Sequence, residues 1–469
     1  MQFLLVLLLP MLTIGFLPLK DYSKKLFYLL LALTSLVHVF LAVTLPLNVA
    51  IEIPFLNLIF NVDKYSRLFI ILVGVAWFIS IIYTSEFTKH HFQDKTKKFF
   101  FLLNFLMTIV LFNAAAGNLQ TLFLFYVLGI PFTYYLLRIR GNHKAKVGAK
   151  IFLKQTLYPS IFILLPAIMM TYYFVGNISF SGSKTFLTQN INPYIGGFIL
   201  FLFIIGLSKN ATFPFHNWLP RTFSAPAPVS GLIHSVAAVK TASIAMIKIA
   251  VYIFDVKYIK ILTTDFFTGG FLIYLCGLTA VYTAYKALKT TDLKQRFTLS
   301  TVGQLSYILL AILVGTPLGI LAATLHIVTH SIAKSCLFYV AGFFNSFYGT
   351  TNAGVVGKLM PSYKFIAVVV AICGLSITGF PFLAGFYSKD LMLLEEYHTG
   401  NYASALFLLT GSIINIFYIY PVVRAAFKKP DITLERKPIP LAMNVTFIIS
   451  IVLILTGNFY MTYITAMID

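Results

Sequence analysis

The sequence predicts an all-α polytopic membrane protein, and three observations carry that reading. Of its 469 residues, 59% are hydrophobic and 10% charged, with a mean hydropathy of +0.88, where a soluble domain carries roughly a quarter charged residues. Apolar runs of about 17 to 25 residues recur along the whole length, enough for helices to cross roughly 30 Å of hydrocarbon. The period-two alternation of a transmembrane barrel is not seen.

Taken in order, the runs predict about fourteen spans, at residues 2–18, 26–46, 67–85, 99–115, 119–137, 156–175, 195–212, 228–254, 268–286, 298–314, 318–343, 363–393, 402–425 and 441–464. The first lacks a basic leader and a small-residue cleavage site, so it is read as a retained span rather than a signal peptide. The 35 Lys and Arg against 14 Asp and Glu would suggest nucleic acid in a soluble protein. Here they crowd into the odd-numbered loops, "KDYSKK", "TSEFTKHHFQDKTKK", "RIRGNHKAKVGAKIFLK", "KALKTTDLKQR" and "RAAFKKPDITLERK". The even-numbered loops are short or nearly neutral. Positive-inside asymmetry places the odd loops in the cytoplasm and both termini on the far side of a cell (inner) membrane, with no nucleic-acid partner.

Ionisable groups inside the spans cost energy and so point to function. Of the acids, only Asp390, Glu395 and Glu396 are expected to reach into a span, whereas Lys209, His234, Lys240, Lys248, His326, His330, Lys334 and Lys389 all fall within one. Burial moves a lysine pKa towards neutrality, which suits proton uptake and release. In "HIVTHSIAK" the two histidines and the lysine are spaced i, i+4, i+8 and share one face of a helix. Lys248 and His216 read equally well as packing or snorkelling groups.

Two spans contain breakers: Pro214 follows Lys209 in "GLSKNATFPFHNW", and Pro381 precedes Lys389 in "SITGFPFLAGFYSKD". An interior proline frees a backbone carbonyl, tolerable in a membrane only where protein or water satisfies it. Discontinuous helices in corresponding positions of two halves mark inverted-repeat transporters. The expected halves are spans 4–8 (residues 99–254) and 9–13 (268–425), flanked by spans 1–3 (1–98) and span 14 (426–469). Cys276, Cys336 and Cys373 lie in apolar runs without metal-ligand spacing. No strand-associated glycine fingerprint for a nucleotide is present, so neither cofactor nor metal is expected.

The stretches "SKNATFPFHNWLPRTFSAPAPVSGLIHSVAAVKTA", "DLKQRFTLSTVGQLSYILLA", "HIVTHSIAKSCLFYVAG" and "GFPFLAGFYSKDLML" resemble the antiporter-like membrane subunits of respiratory complex I, Mrp cation/proton antiporters and membrane-bound hydrogenases, over roughly residues 60 to 430. The resemblance implies two inverted five-helix repeats, each half of a proton path, with helices 7 and 12 broken. It also implies a relay of Lys209, His234, Lys240, His326, His330, Lys334 and Lys389; Asp390 and Lys248, read from the residues alone, are candidate modulators. Partners would be other membrane subunits, including paralogous ones. The chain would not be catalytic alone, but could belong to a proton-pumping oxidoreductase such as an NADH:quinone oxidoreductase or a hydrogenase. Its length beyond span 14 lacks the lateral helix of the largest complex I member, which favours the shorter subunit types.

One departure stands out. The family pattern "FxFWEL" in span 5 supplies a glutamate for the span-7 lysine, but "FLFYVLGIPFTYYLL" places Val127 there. Without that acid Lys209 is expected to stay neutral more easily, and the first half-channel to be altered or inactive. The leading expectation is a non-redox, proton-translocating subunit. The alternatives are a scaffold that has lost transport, or the membrane component of a sodium/proton antiporter or of a bicarbonate-accumulating complex. A sodium site calls for carboxylates, which favours protons over sodium.

Overall fold

The computed structural model describes residues 1–91, 93–182, 184–428 and 435–468. Asp431, Asp469 and most of "KKPDITLE" in the last basic loop therefore lie outside the described residues. The chain is mostly helical. Its principal helices are α1 (Gln2–Phe16), α2 (Lys24–Val43), α3 (Lys64–His90), α4 (Thr96–Ala114), α5 (Leu119–Leu137), α6 (His143–Val175), α7 (Pro193–Gly206) and α8 (Ala227–Phe254). There follow α9 (Phe266–Lys289), α10 (Leu293–Leu313), α11 (Pro317–Tyr348), α12 (Lys364–Thr378), α13 (Ala384–His398), α14 (Tyr402–Ala425), α15 (Leu441–Leu455) and α16 (Gly457–Ile468).

Among the described residues ten helices are long and apolar enough to cross a membrane, or eleven if α15 and α16, bent by 62°, form one span; α1, α7 and α12 are shorter apolar helices. The layering follows from exposure. The apolar stretches of α10 and α11 are wholly buried and that of α8 is 89% buried, against 28% for α2 and 33% for α14. Helices α8, α10 and α11 thus form the centre, and α2 and α14 present Leu, Ile and Phe to lipid. Close approach at the centre depends on small residues. A Cβ at Gly342 of α11 would fall 2.3 Å from both the Ala227 Cβ of α8 and the Tyr83 hydroxyl of α3.

Several segments read as loops are ordered. Ala50–Ile53 and Leu58–Asn61 form an antiparallel hairpin, with Ala50 opposite Asn61, so the chain is not purely α. Asn57, at φ 49°, closes the turn, and the second strand is continued by a bridge from Phe60 to Ala116. Helix α6 starts at His143 rather than at 156, because the Asn142 side chain accepts the Ala145 N–H and caps it, and lysines are good helix formers. The basic loop "RIRGNHKAKVGAKIFLK" is therefore largely the first turns of a helix. Likewise Val256–Thr264 is helical between two aspartate caps, Asp255 and Asp265.

Helix α8 is irregular in a way that the sequence did not announce. Ile233–Ala237 is a π-helical turn, followed by Ala238 at φ −127° and ψ −61°, and Ile249–Phe254 is again π-helical. Such bulges in α-helices concentrate at functional positions.

Candidate functional site

The interruption after α7 begins at Leu207, before Lys209, and not at Pro214, which is exposed. Ser208–Asn210 make a single 3-10 turn, and Ala211 takes φ +54°. The backbone groups released there are met by side chains: Trp218 Nε1–H donates to the Ser208 carbonyl at 3.0 Å, and the Lys209 N–H to the Tyr126 hydroxyl at 3.0 Å. Lys209 Nζ donates to the Tyr126 carbonyl at 2.7 Å and lies 4.0 Å from the centre of the Tyr126 ring. The residue beside Val127 thus holds the lysine, through a carbonyl and an aromatic face. The next residue, Asn210, accepts from Ser243 Oγ at 2.9 Å and ties the turn to α8.

On α8, His234 sits in the π turn with its ring stacked on Phe338 at 4.2 Å, and Lys240 follows the distorted Ala238. Both are fully enclosed; Lys240 Nζ and His234 Nδ1 have no hydrogen-bond partner among the described residues. His330 of α11 also has neither ring nitrogen partnered among those residues. On α11 it stands one turn from His326 on one side and from Lys334 on the other. The rings of His326 and His330 are 6.0 Å apart, and Lys334 donates to the Phe297 carbonyl at 3.2 Å.

The second interruption separates α12 from α13 at residues 379–383, with Gly379 at φ +85° and Phe382 at +68°; Pro381 within it is exposed. Lys389 of α13 donates to Ser412 Oγ at 2.7 Å and to the Thr378 carbonyl, freed at the end of α12, at 3.5 Å. Its Nζ lies 5.0 Å from the centre of the Tyr307 ring. The preceding residue, Ser388, pairs with His326 Nδ1 at 3.0 Å, and His326 Nε2 meets Gln304 Oε1 at 3.0 Å. One hydrogen-bonded bridge thus runs from α10 through α11 to α13.

Asp390 is exposed, unlike its neighbour Lys389. The buried acids lie elsewhere, and sequence reasoning missed their roles. Asp63, read as a loop residue, caps α3 by accepting the Ser66 N–H, and pairs with Lys248 Nζ at 2.9 Å. Lys248 donates further to Ser66 Oγ and to the Ala114 and Ala116 carbonyls. Glu396, two turns beyond Lys389, is fully buried, accepts from Ser404 Oγ at 2.7 Å, and leaves Oε2 unpartnered among the described residues. Lys294 is buried too and donates to the Ala225 carbonyl. The "DLK" of "DLKQR", an aspartate capping the helix that carries the lysine, was the available signal for it. His216 is buried in the loop after Lys209, with neither ring nitrogen partnered among the described residues. No group of three or more His, Cys, Asp or Glu capable of holding a metal occurs among those residues.

Interrupted apolar helices with buried lysines and histidines between them are what this chain brings to a comparison with known membrane proteins. Residues 116–415, more than half of the chain, match the family "NADH:quinone oxidoreductase/Mrp antiporter, TM", and the chain belongs to that family. It is 28% identical over 394 residues to a probable K(+)/H(+) antiporter component of Rhizobium meliloti, covering 82% of this chain and 38% of that one. It is 27% identical to NADH-ubiquinone oxidoreductase chain 5 of Rattus norvegicus, covering 80% of this chain and 59% of that one. The chain thus spans less than two thirds of the length of both relatives. In fold it is similar to a chain of the membrane-bound sulfane sulfur reductase, an archaeal respiratory membrane complex, with a TM-score of 0.84, 23% identity, and 100% and 96% of the two chains covered.

Proposed function

We propose that this chain is a non-redox, proton-translocating subunit of a multisubunit membrane complex, moving protons along Lys209, His234, Lys240, His330, His326, Lys334 and Lys389. The observation that supports this best is the centre of the line. Lys240 Nζ and both nitrogens of His330 are enclosed without protein partners among the described residues, and buried polar groups of that kind are met by water, which is also the medium for relaying a proton between fixed bases. The names of the relatives, a K(+)/H(+) antiporter component and a chain of an NADH-ubiquinone oxidoreductase, support partner subunits of a similar, partly paralogous kind and protons as the transported ion. The scarcity of buried carboxylates argues against a sodium path within this chain.

The finer architecture is part of the same proposal. Adding α1, α7, the α12/α13 pair and the bent α15/α16 pair to the ten long helices gives fourteen spans, with residues 99–254 and 268–425 as inverted repeats between flanking segments 1–98 and 426–469. Basic odd-numbered loops then face the cytoplasm, with both termini opposite. Lys209 and Lys389 are counterparts, each beside an interruption and each over a tyrosine ring, and Glu396 is the acid towards which the second half leads. The first half carries no acid at Lys209 and is the weaker path. The test is proton transport by the assembled complex in vesicles, with Lys240→Ala and Lys389→Ala examined after assembly is verified. Loss of coupled proton movement is expected; parent rates in both would overturn the assignment and leave a scaffold role.

A further inference from the structure

The connection from α1 to α2 carries Lys20 in a short helical turn, Leu19–Tyr22, and Lys24 and Lys25 open α2 behind the Ser23 cap. Together with Lys89 near the end of α3, these lysines wall a cavity of about 270 Å³. Hydroxyl groups form its inner side: Ser85, Thr88 and Tyr28, whose oxygen is 2.5 Å from that of Thr88. Three carboxylates, Asp21, Glu86 and Asp94, stand near five lysines, Lys20, Lys24, Lys25, Lys89 and Lys97, so positive charge stays in excess. Glu86 pairs with Lys89, and Asp21 with Lys97, a further cation beside the cavity. At Lys20 burial first, then Lys24 and Lys97, push the ammonium below the usual lysine value against the opposing pull of Asp21 and Asp94.

The cavity's position decides what would fill it. It adjoins the end of α2, the helix with the least buried apolar stretch among the long spans, whose Leu29, Leu33, Leu36 and Phe40 are about half or more exposed. A ligand here would have its charged part among lysines and hydroxyls at the membrane boundary, and an apolar continuation beside it along α2. Basic pockets between helices at that level recognise anionic headgroups, and the N-terminal N–H groups of a helix add to the attraction. We propose that this cavity binds the phosphate headgroup of an anionic phospholipid whose acyl chains lie along the outer face of α2.

Native mass spectrometry of the intact complex, extracted from membranes of equal phosphatidylglycerol and phosphatidylcholine content, tests this. The parent is expected to retain phosphatidylglycerol in preference, and inorganic phosphate is expected not to displace it. Lys24→Gln with Lys25→Gln should lower that retention roughly tenfold or more, Lys24→Arg with Lys25→Arg should restore it, and Lys144→Gln with Lys146→Gln on the exposed start of α6 should leave it unchanged. Equal retention of the two lipids by the parent would overturn the proposal even if the glutamine variant failed to assemble. So would displacement by phosphate, or a glutamine variant that kept the lipid but lost one of the other subunits, which would assign the lysines to an acidic protein segment.

Discussion

Lys248 and Lys209 are both enclosed lysines, and their surroundings could hardly differ more. Lys248 meets a carboxylate at 2.9 Å, a hydroxyl and two carbonyls. Lys209 has one carbonyl and an aromatic face. An opposite charge within about 4 Å holds an ammonium in its charged form, whereas an aromatic face contributes less. Lys248 is therefore a strut that joins the start of α3 and the end of α4 to α8, and Lys209 has no such counter-charge. Burial alone therefore does not tell the two lysines apart; their counter-charges do.

The largest expected effect comes from breaking the strut. Asp63→Asn leaves Lys248 buried without its counter-charge and should cost about 3 to 5 kcal/mol, read as a lower thermal midpoint of the purified complex, while Asp63→Asn with Lys248→Met should recover much of the loss. Unchanged stability in Asp63→Asn would remove the distinction between the two lysines. Next, Lys240→Ala takes a base from the centre of the line and should reduce proton transport by about 100-fold or more, the scale on which positioned proton-transfer groups act, with assembly retained.

Smaller in size but closer to the comparison, Val127→Glu gives Lys209 the carboxylate that Lys248 already has. Transport by the variant should change in rate and in pH dependence, and a profile identical to the parent's would mean that the position is silent. The smallest effect is expected outside the membrane, at His91, which follows the last residue of α3. Burial, then Arg140, His90 and Lys294, push its pKa down from 6.5 to about 4, and one ring nitrogen meets Ser346 Oγ at 2.9 Å. Between those two values the unfolded chain binds the proton and the folded one does not. Stability should thus be unaffected by this group above pH 6.5 and fall as pH drops towards 4. His91→Gln should flatten that part of a melting-temperature profile, and an unaltered slope would show that His91 is not its source.

Much of this was legible in the sequence because lipid imposes a simple rule: long apolar runs must be helices. Intramembrane lysines and histidines stand out against such runs, so Lys240, His330 and Lys389 could be picked before any coordinates. What was hidden depended on contacts between distant segments. Asp63 looks like a loop acid until the start of α3 is packed against the end of α8. Glu396 looks no different from the part-exposed Glu395 until Ser404 comes to it across the turn between α13 and α14. The π turn at His234 was hidden as well, since "SGLIHSVAAVK" has no proline or glycine where the helix widens. In the same way Leu207, and not the more conspicuous Pro214, starts the first interruption, because Trp218 and Tyr126 supply the partners that let the helix stop early.

The most direct test sets the two proposed half-paths side by side: proton transport by the reconstituted complex carrying Lys209→Ala or Lys389→Ala, at equal assembly. With an acid beyond Lys389 and none at Lys209, the predicted result is loss of transport in Lys389→Ala and retention of most of the rate in Lys209→Ala. Equal loss in both would contradict it, and would mean that the Tyr126 carbonyl and ring serve Lys209 as well as a carboxylate would.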